Sequence, residues 1–430
     1  MLQPNDPPMS RTLHPDFIAH SELRNTILLG ASGFLLMLAY YLLRPVREAL
    51  VLTQGDEEVR SYAVGAIALL LLVVIPLYGR WLKARPVSEV FSCVLGCFVL
   101  MLTGFASAGA AGLEIGLLFF VCLGSFSLLL VAQFWATAAM LFGVDSGQRA
   151  FPAIAAGLSL GAWMGCQLAS RSFASAGPYG LMLMAAAILA MSLAVQRFLD
   201  PCAGPKESTP GKPVPPSIGL KLVWRNRYLL KIAILVMLLN WIESAGDFLL
   251  AGAIRTRAEQ MAALMPALKN DVLIGELYGD FFGWVCLLGL LLQLLVVPRL
   301  FRRGGVRTTA LLLPLVMIAG YAVVGFLPIF SAIYLVKALE ASINYSTQSL
   351  SRHVMYLPLD STAKCHGKTT IETLFWRLGD LLQAFMIYLF VDRLELSSLA
   401  VVMMNLALAA GSLFLIKSIC FEFAGSARRT

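Results

Sequence analysis

The chain returns again and again to apolar runs of about 20 residues, the length an α-helix needs to cross the hydrocarbon core of a bilayer. About twelve such runs can be read. The first six lie near Thr26 to Thr53, Ser61 to Leu82, Val87 to Ala108, Ile115 to Phe142, Phe151 to Ser172 and Tyr179 to Phe198. The second six lie near Tyr228 to Leu250, Gly275 to Val297, Thr308 to Leu327, Phe330 to Tyr356, Thr369 to Val391 and Leu396 to Lys417. In lipid each backbone N–H and C=O must be satisfied within the segment, so spans of this length are helices. Composition bears on this at one point: 59% hydrophobic and 13% charged residues are too apolar for a soluble chain of 430 residues. The reading is an all-α integral membrane protein of about twelve transmembrane helices in two six-helix halves.

Between the two sets of runs, Asp200 to Ser217 is dense in proline, glycine and polar residues and reads as a flexible linker. The expected division is a cytoplasmic tail at 1–25, a six-helix bundle at 26–198, a cytoplasmic linker at 199–227, a second bundle at 228–417 and a cytoplasmic tail at 418–430. Orientation follows from Lys and Arg in the short loops. Arg80, Lys83 and Arg85, then Arg149, then Lys206 to Lys231, then Arg299, Arg302, Arg303 and Arg307, then Lys364 and Lys368 all fall on one side. That side receives both termini, which predicts a multi-pass protein of the cell inner membrane with its ends in the cytoplasm. The formal charge of +8 is accounted for by these loops, so no nucleic-acid partner is expected. The longest outer loop is expected from Arg255 to Ile274. The first twenty or so residues lack an apolar core and do not read as a signal peptide. The eight cysteines lie singly in apolar segments and indicate neither a disulfide framework nor a metal site.

Two sets of six helices joined by a cytoplasmic linker resemble the major facilitator architecture, in which parallel repeats enclose a central cavity. Gly79-Arg80-Trp81-Leu82-Lys83 and the stretch from Arg299 to Arg307 are weak versions of that superfamily's loop motif. Leu160-Gly161 in the fifth span echoes Leu378-Gly379 in the eleventh. Gly157, Gly161 and Gly165 form one small-residue stripe and Gly275, Gly279 and Gly283 another, and both read as close helix packing.

Charged residues at bilayer depth persist mainly where they face a water-filled cavity or a partner. Arg44 and Arg47, three apart in the first span, share a helix face and form a candidate anion-binding surface. Pro45 lacks an N–H and is expected to bend the helix beside them. Glu243 and Asp247, four apart in the seventh span, put two carboxylates on one face; they are candidates for carrying a proton, or for pairing with an arginine of the first half. Asp380 is a third proton-coupling candidate, at a spacing from Arg377 that suits an intrahelical pair. Lys337, Glu340 and Asn344 share a face and either line the cavity or neutralise one another. Tyr40, Tyr41, Gln133, Trp135, Trp241, Tyr345 and Gln348 are residue types that grip a planar or polar ligand, or simply pack. His353 and His366 flank a basic loop without a ligand partner at metal spacing.

The stretch Leu42-Leu43-Arg44-Pro45-Val46-Arg47-Glu48-Ala49-Leu50-Val51-Leu52 resembles the opening helix of the plastid and bacterial ATP/ADP (nucleotide) translocase family. The resemblance continues near Ala132-Gln133-Phe134-Trp135, near Asn240-Trp241-Ile242-Glu243, and from Lys364 through Glu372 to Leu378-Gly379. It implies that Arg47 stands at a substrate-contacting lysine and Glu243 at an important glutamate, while Gln133 replaces a second glutamate and Asp380 a second lysine. Across these four positions the family pattern sums to zero, whereas one arginine, one amide and two carboxylates sum to minus one. The expected function is a secondary transporter that moves a small organic anion or zwitterion by alternating access. Its substrate-binding residues would be Arg44, Arg47, Gln133, Glu243, Asp380, Tyr40 and Trp241, with protons or a counter-solute as coupling partner. Nucleotide exchange, as the resemblance implies, and a proton-coupled permease for a siderophore or peptide-like compound are the alternatives. No nucleophile and base pair, metal constellation or cofactor motif lies among the intramembrane residues, so neither an enzyme nor a cofactor is expected.

Overall fold

The computed structural model describes residues 15–82, 87–142, 144–199, 216–265, 268–359 and 363–427. Residues 1–14 of the tail expected at 1–25, residues 200–215 of the linker expected at 199–227, Lys83, Arg85, Lys206 and residues 428–430 lie outside the described residues. Among the described residues the elements are all helical. The first half of the chain contributes α1 (Pro15–Gln54), α2 (Glu57–Leu82), α3 (Val87–Ala110), α4 (Gly116–Leu141) and α5 (Val144–Gln196). A short helix, α6 (Pro216–Arg225), lies within the stretch expected as linker, and α7 (Arg227–Leu264), α8 (Asn270–Leu291) and α9 (Val297–Phe326) follow it. They are followed by α10 (Phe330–Ile343), α11 (Ser349–Met355), α12 (Lys368–Thr370), α13 (Trp376–Ile387) and α14 (Ser398–Ala427). Wide π-turns at Leu292–Val296, Asn344–Gln348 and Ile371–Phe375 join α8 to α9, α10 to α11 and α12 to α13.

Nine of the described helical runs are long and apolar enough to cross a membrane. Two of them, Arg149–Gln196 at 48 residues and Asn270–Phe326 at 57 residues, are each long enough to cross twice at 1.5 Å per residue. Both contain one non-helical glycine, Gly177 (φ 65, ψ 175) and Gly305 (φ 58, ψ −156), in a region of backbone space open to glycine alone. These breaks fall where the sequence separates its fifth and sixth, and its eighth and ninth, spans. Twelve crossings follow only when α10 and α11, which are not among those nine runs, are counted as one more; the chain is an all-α multi-pass membrane protein.

Local signals set several helix ends. At the α1–α2 turn the Val59 N–H donates to Asp56 Oδ1 at 3.0 Å, while Glu57 and Glu58 occupy the first turn of α2 beside its positive dipole end. Asn226 caps α7 by accepting from the N–H groups of Tyr228 and Leu229. Two helices run further than the sequence reading has them. α1 begins at Pro15 instead of Thr26, and α7 continues past Leu250 to Leu264, which shortens the expected outer loop. The extension of α7 is rich in the helix formers Ala, Arg, Glu and Met, carries an Arg255–Glu259 pair at 3.2 Å, and buries Ala258 completely. α1 is also continuous through Pro45, which is buried. A proline is tolerated there because neighbouring helices hold the chain in place.

The glycine stripes explain how the helices approach. A Cβ on Gly157 would lie 3.1 Å from the Gly30 carbonyl oxygen, one on Gly165 2.5 Å from that of Leu38, and one on Gly161 would collide with that of Phe34. The first part of α5 therefore lies backbone to backbone on α1. Its next turns meet α8, where a Cβ on Gly279 would lie 2.9 Å from the Ser170 nitrogen and one on Gly283 2.8 Å from Gln167 Nε2. Gly379 of α13 stands in the same relation to α7, its missing Cβ 2.7 Å from the Met237 carbonyl oxygen. Both stripes thus serve packing. One apolar cluster gathers residues from Leu29 to Leu189 and runs on into Leu250 to Val285, and a second gathers Val223 to Leu249 with Ala310 to Ile419.

Residues from the two ends of the chain also meet near the turn between α1 and α2, here called the hairpin end. Arg255 Nη1 reaches Glu57 Oε2 at 3.1 Å, Gln383 Nε2 donates to Ser61 Oγ at 3.2 Å, and the Tyr62 hydroxyl donates to Asp392. Ser170 of α5 donates to Asp280 Oδ1 of α8 at 2.5 Å.

Candidate functional site

On the far side of those ties from the hairpin end lies a cavity of about 360 Å³. α1 turns Tyr40, Arg44 and Arg47 into it, α2 Arg60, and α4 Phe120 and Ser127. The opposite wall is built by Asn240, Glu243, Ser244 and Asp247 of α7 with Trp376, Arg377 and Asp380 of α13. The spacings of three and four along α1, α7 and α13 bring these groups to single helix faces. A second cavity of about 30 Å³ adjoins it toward the hairpin end and shares Arg44, Arg60, Glu243 and Asp247, with Tyr278, Phe281 and Phe282 beyond.

Most of the charge in the walls is paired. Glu48 is fully buried and lies 2.6 Å from Arg60 Nε and 3.1 Å from Arg47 Nη2. Arg60 Nη2 also reaches across to Asp247 Oδ2 at 3.6 Å. Asp247 Oδ1 is 3.1 Å from Lys337 Nζ, which donates further to Glu340 Oε1 at 3.1 Å and to the Glu243 backbone carbonyl at 3.0 Å. Glu340 is closed off by the Tyr321 hydroxyl at 2.8 Å. The result is one chain of alternating charge from α1 through α2 and α7 to α10. Gly246 makes room for it, since a Cβ there would lie 3.0 Å from Lys337 Nζ. Asp380 is held separately by Arg377 Nη1 at 2.9 Å, Asn240 Nδ2 at 2.7 Å and Ser244 Oγ at 2.9 Å.

Arg44 and Glu243 differ from the rest. The Arg44 guanidinium stacks 4.1 Å from the Phe282 ring centroid and donates to the Tyr345 hydroxyl at 3.3 Å, while its Nε is buried without a hydrogen-bond partner. Glu243 Oε2 accepts from Asn344 Nδ2 at 2.6 Å. Neither forms an ion pair with any described residue.

Of the residues singled out in the sequence, Tyr40, Arg44, Arg47, Glu243, Asp247 and Asp380 line the large cavity. Gln133 and Trp241 are not among its lining residues. Gln133 is 3% exposed within α4 with its carbonyl oxygen unpartnered, and Trp241 packs on the second apolar cluster with its indole N–H buried and unpartnered. Lys337 and Glu340 neutralise one another behind the wall instead of lining it. Asp247 does pair with an arginine of the first half, Arg60, and Arg377 with Asp380 as an intrahelical pair. Sequence reasoning missed Arg60, whose neighbours Asp56, Glu57 and Glu58 make it read as one more turn residue. The signal available was its place one turn inside an apolar helix. His353 lies 3.9 Å from Glu372 with its side chain half exposed.

The fold, with a charged cavity walled by helices from both ends of the chain, is major-facilitator-like. The chain is similar in structure to a mutant of the nucleoside transporter NupG, with a TM-score of 0.65 and 12% identity over 92% of this chain and 99% of that one. It is also similar to a POT family peptide transporter, with a TM-score of 0.60 and 14% identity over 95% and 97% of the two chains. A bacterial homologue of the human lysosomal transporter Spinster matches with a TM-score of 0.56 and 12% identity over 96% and 98%. No protein family and no curated protein matches the chain by sequence.

Proposed function

We propose that the protein is a secondary transporter of the cell inner membrane that moves a small organic anion or zwitterion by alternating access. The observation that carries this reading is the cavity of about 360 Å³ walled by α1, α2 and α4 on one side and α7 and α13 on the other, with an arginine whose Nε is buried and unpartnered. Arg44 and Arg47 attract the anionic group. With both termini cytoplasmic, the hairpin end faces outward, and the ties of Glu57, Ser61 and Tyr62 close the cavity on that side.

The same walls argue against a nucleoside triphosphate. Four arginines face four carboxylates around the two adjoining cavities, so there is no excess of positive charge to receive about four negative ones. At an effective dielectric near 20, each unit charge about 4 Å from a carboxylate meets roughly 4 kcal/mol of repulsion before screening. ATP and ADP are therefore weak ligands, in contrast to what the resemblance of the first helix implies. The test is thermal stabilisation of the detergent-purified protein by ATP, nucleoside monophosphates, dicarboxylates and amino-acid conjugates. A ligand at 100 times its Kd stabilises by about 2.7 kcal/mol. Stabilisation by compounds of one or two charges is the expected result, and tight binding of ATP would restore nucleotide exchange as the function.

A further inference from the structure

We infer that the substrate of the central cavity is a zwitterion, held with its carboxylate at Arg44 of α1 and its ammonium group at Glu243 of α7. The inference rests on the transporter reading above and goes on to name the substrate's charge pattern. The charges that line the two adjoining cavities divide by origin. α1 and α2 bring Arg44, Arg47 and Arg60 against Glu48, a net two positive; α7 and α13 bring Glu243, Asp247 and Asp380 against Arg377, a net two negative. The site as a whole is neutral and strongly polarised from one wall to the other. A molecule of matching dipole gains from both walls, whereas a plain anion gains from one and is repelled by the other.

Most of these charges are already committed, and the two that are not are of opposite sign. Arg47 and Arg60 share Glu48, Arg60 and Lys337 share Asp247, and Arg377, Asn240 and Ser244 together hold Asp380. Among the described residues Arg44 has as direct partners only the Tyr345 hydroxyl and the Phe282 and Tyr41 rings, and its buried Nε lacks an acceptor. Among the described residues the Glu243 carboxylate accepts a hydrogen bond only from the Asn344 amide; the Lys337 ammonium reaches its backbone carbonyl while pairing with other carboxylates, and the Arg352 guanidinium acts on it from beyond pairing distance. A carboxylate at Arg44 supplies the missing acceptor, and an ammonium group at Glu243 supplies the missing cation. Asp380, with three donors on its carboxylate, has no such vacancy for the ammonium group.

Two matched sets of probes test this on the full chain in detergent: phenylalanine, 3-phenylpropanoate and phenethylamine, and dialanine, N-acetyl-dialanine and dialanine amide. In at least one set the zwitterion should bind at least tenfold more tightly than both its anionic and its cationic partner. Glu243→Gln should remove the advantage over the anion, and Arg44→Gln the advantage over the cation. If neither zwitterion binds more tightly than its anion, or if Glu243→Gln leaves that ratio unchanged, the inference is overturned; the wild-type comparison stands even where a variant does not fold. Binding of dicarboxylates or monoanions alone would overturn the zwitterion and leave the transporter reading in place. Absence of binding by every probe, anions and nucleotides included, would remove both.

Discussion

At Glu48 a buried carboxylate has two arginines, and they are not equivalent. Arg60 is the closer, at 2.6 Å, and is itself nearly buried; Arg47 lies at 3.1 Å and faces the large cavity. Arg47→Ala leaves Glu48 paired, so the variant should fold with wild-type yield while losing transport in proteoliposomes. Arg47→Lys should keep part of the activity if charge alone is needed, and little if the fork geometry of guanidinium matters. Arg60→Ala removes the near partner of Glu48 and one of the two cations on Asp247. Breaking a buried pair from one side costs about 3–5 kcal/mol, which should appear as a clear drop in the unfolding midpoint in detergent. At this scale the sequence was readable wherever charges stood at helical spacing within an apolar run, as at Arg44 and Arg47 or Glu243 and Asp247. It left open whether Glu243 or Asp247 would be neutralised, and by which cation, because the partners of Asp247, Arg60 and Lys337, come from other helices. Gln133 and Trp241 look like ligand-gripping residues in sequence for the same reason that they look like packing ones: residue type does not say which face of a helix meets the cavity.

Among the elements, the two glycines that break the longest helices are the most exacting positions. Gly177→Ala forces a Cβ into a conformation that costs about 1–3 kcal/mol, and Gly305→Ala should do the same. Glycines inside helices divide by contact instead. Gly161→Ala drives a methyl group into the Phe34 carbonyl of α1 and should lower stability by about 1–3 kcal/mol, the usual penalty of overpacking. Gly30→Ala, with nothing within 4 Å of the new methyl, should lose nothing. Melting curves of the four variants in one detergent separate these cases. The apolar runs made the number of spans legible, and proline and glycine density marked the linker. Helix ends were less so: α7 outruns its apolar run because helix propensity and the Arg255–Glu259 pair keep it wound where hydrophobicity has stopped.

For the whole molecule, the ties at the hairpin end bear on how a carrier would work. If the halves must part there during transport, Tyr62→Cys combined with Asp392→Cys should be bridged by a short bis-methanethiosulfonate reagent and stop transport, and a reductant should restore it. Transport at the full rate by the cross-linked protein would show that this end stays closed. Uptake that collapses with an uncoupler would identify a proton-coupled carrier, and uptake that ignores the pH gradient but needs a counter-solute would identify an exchanger. On the proposed transporter reading, Asp247 has a part in either case. It is held by Arg60 from one half of the chain and by Lys337 from its own. Were the halves to separate, Arg60 would withdraw with Glu48, and Asp247 would remain with Lys337, so neither carboxylate would be left unpaired. The joint is built like a door whose latch has a keeper on each side: letting go of one does not leave the bolt hanging, and a two-position machine of this kind can sit near balance between its positions.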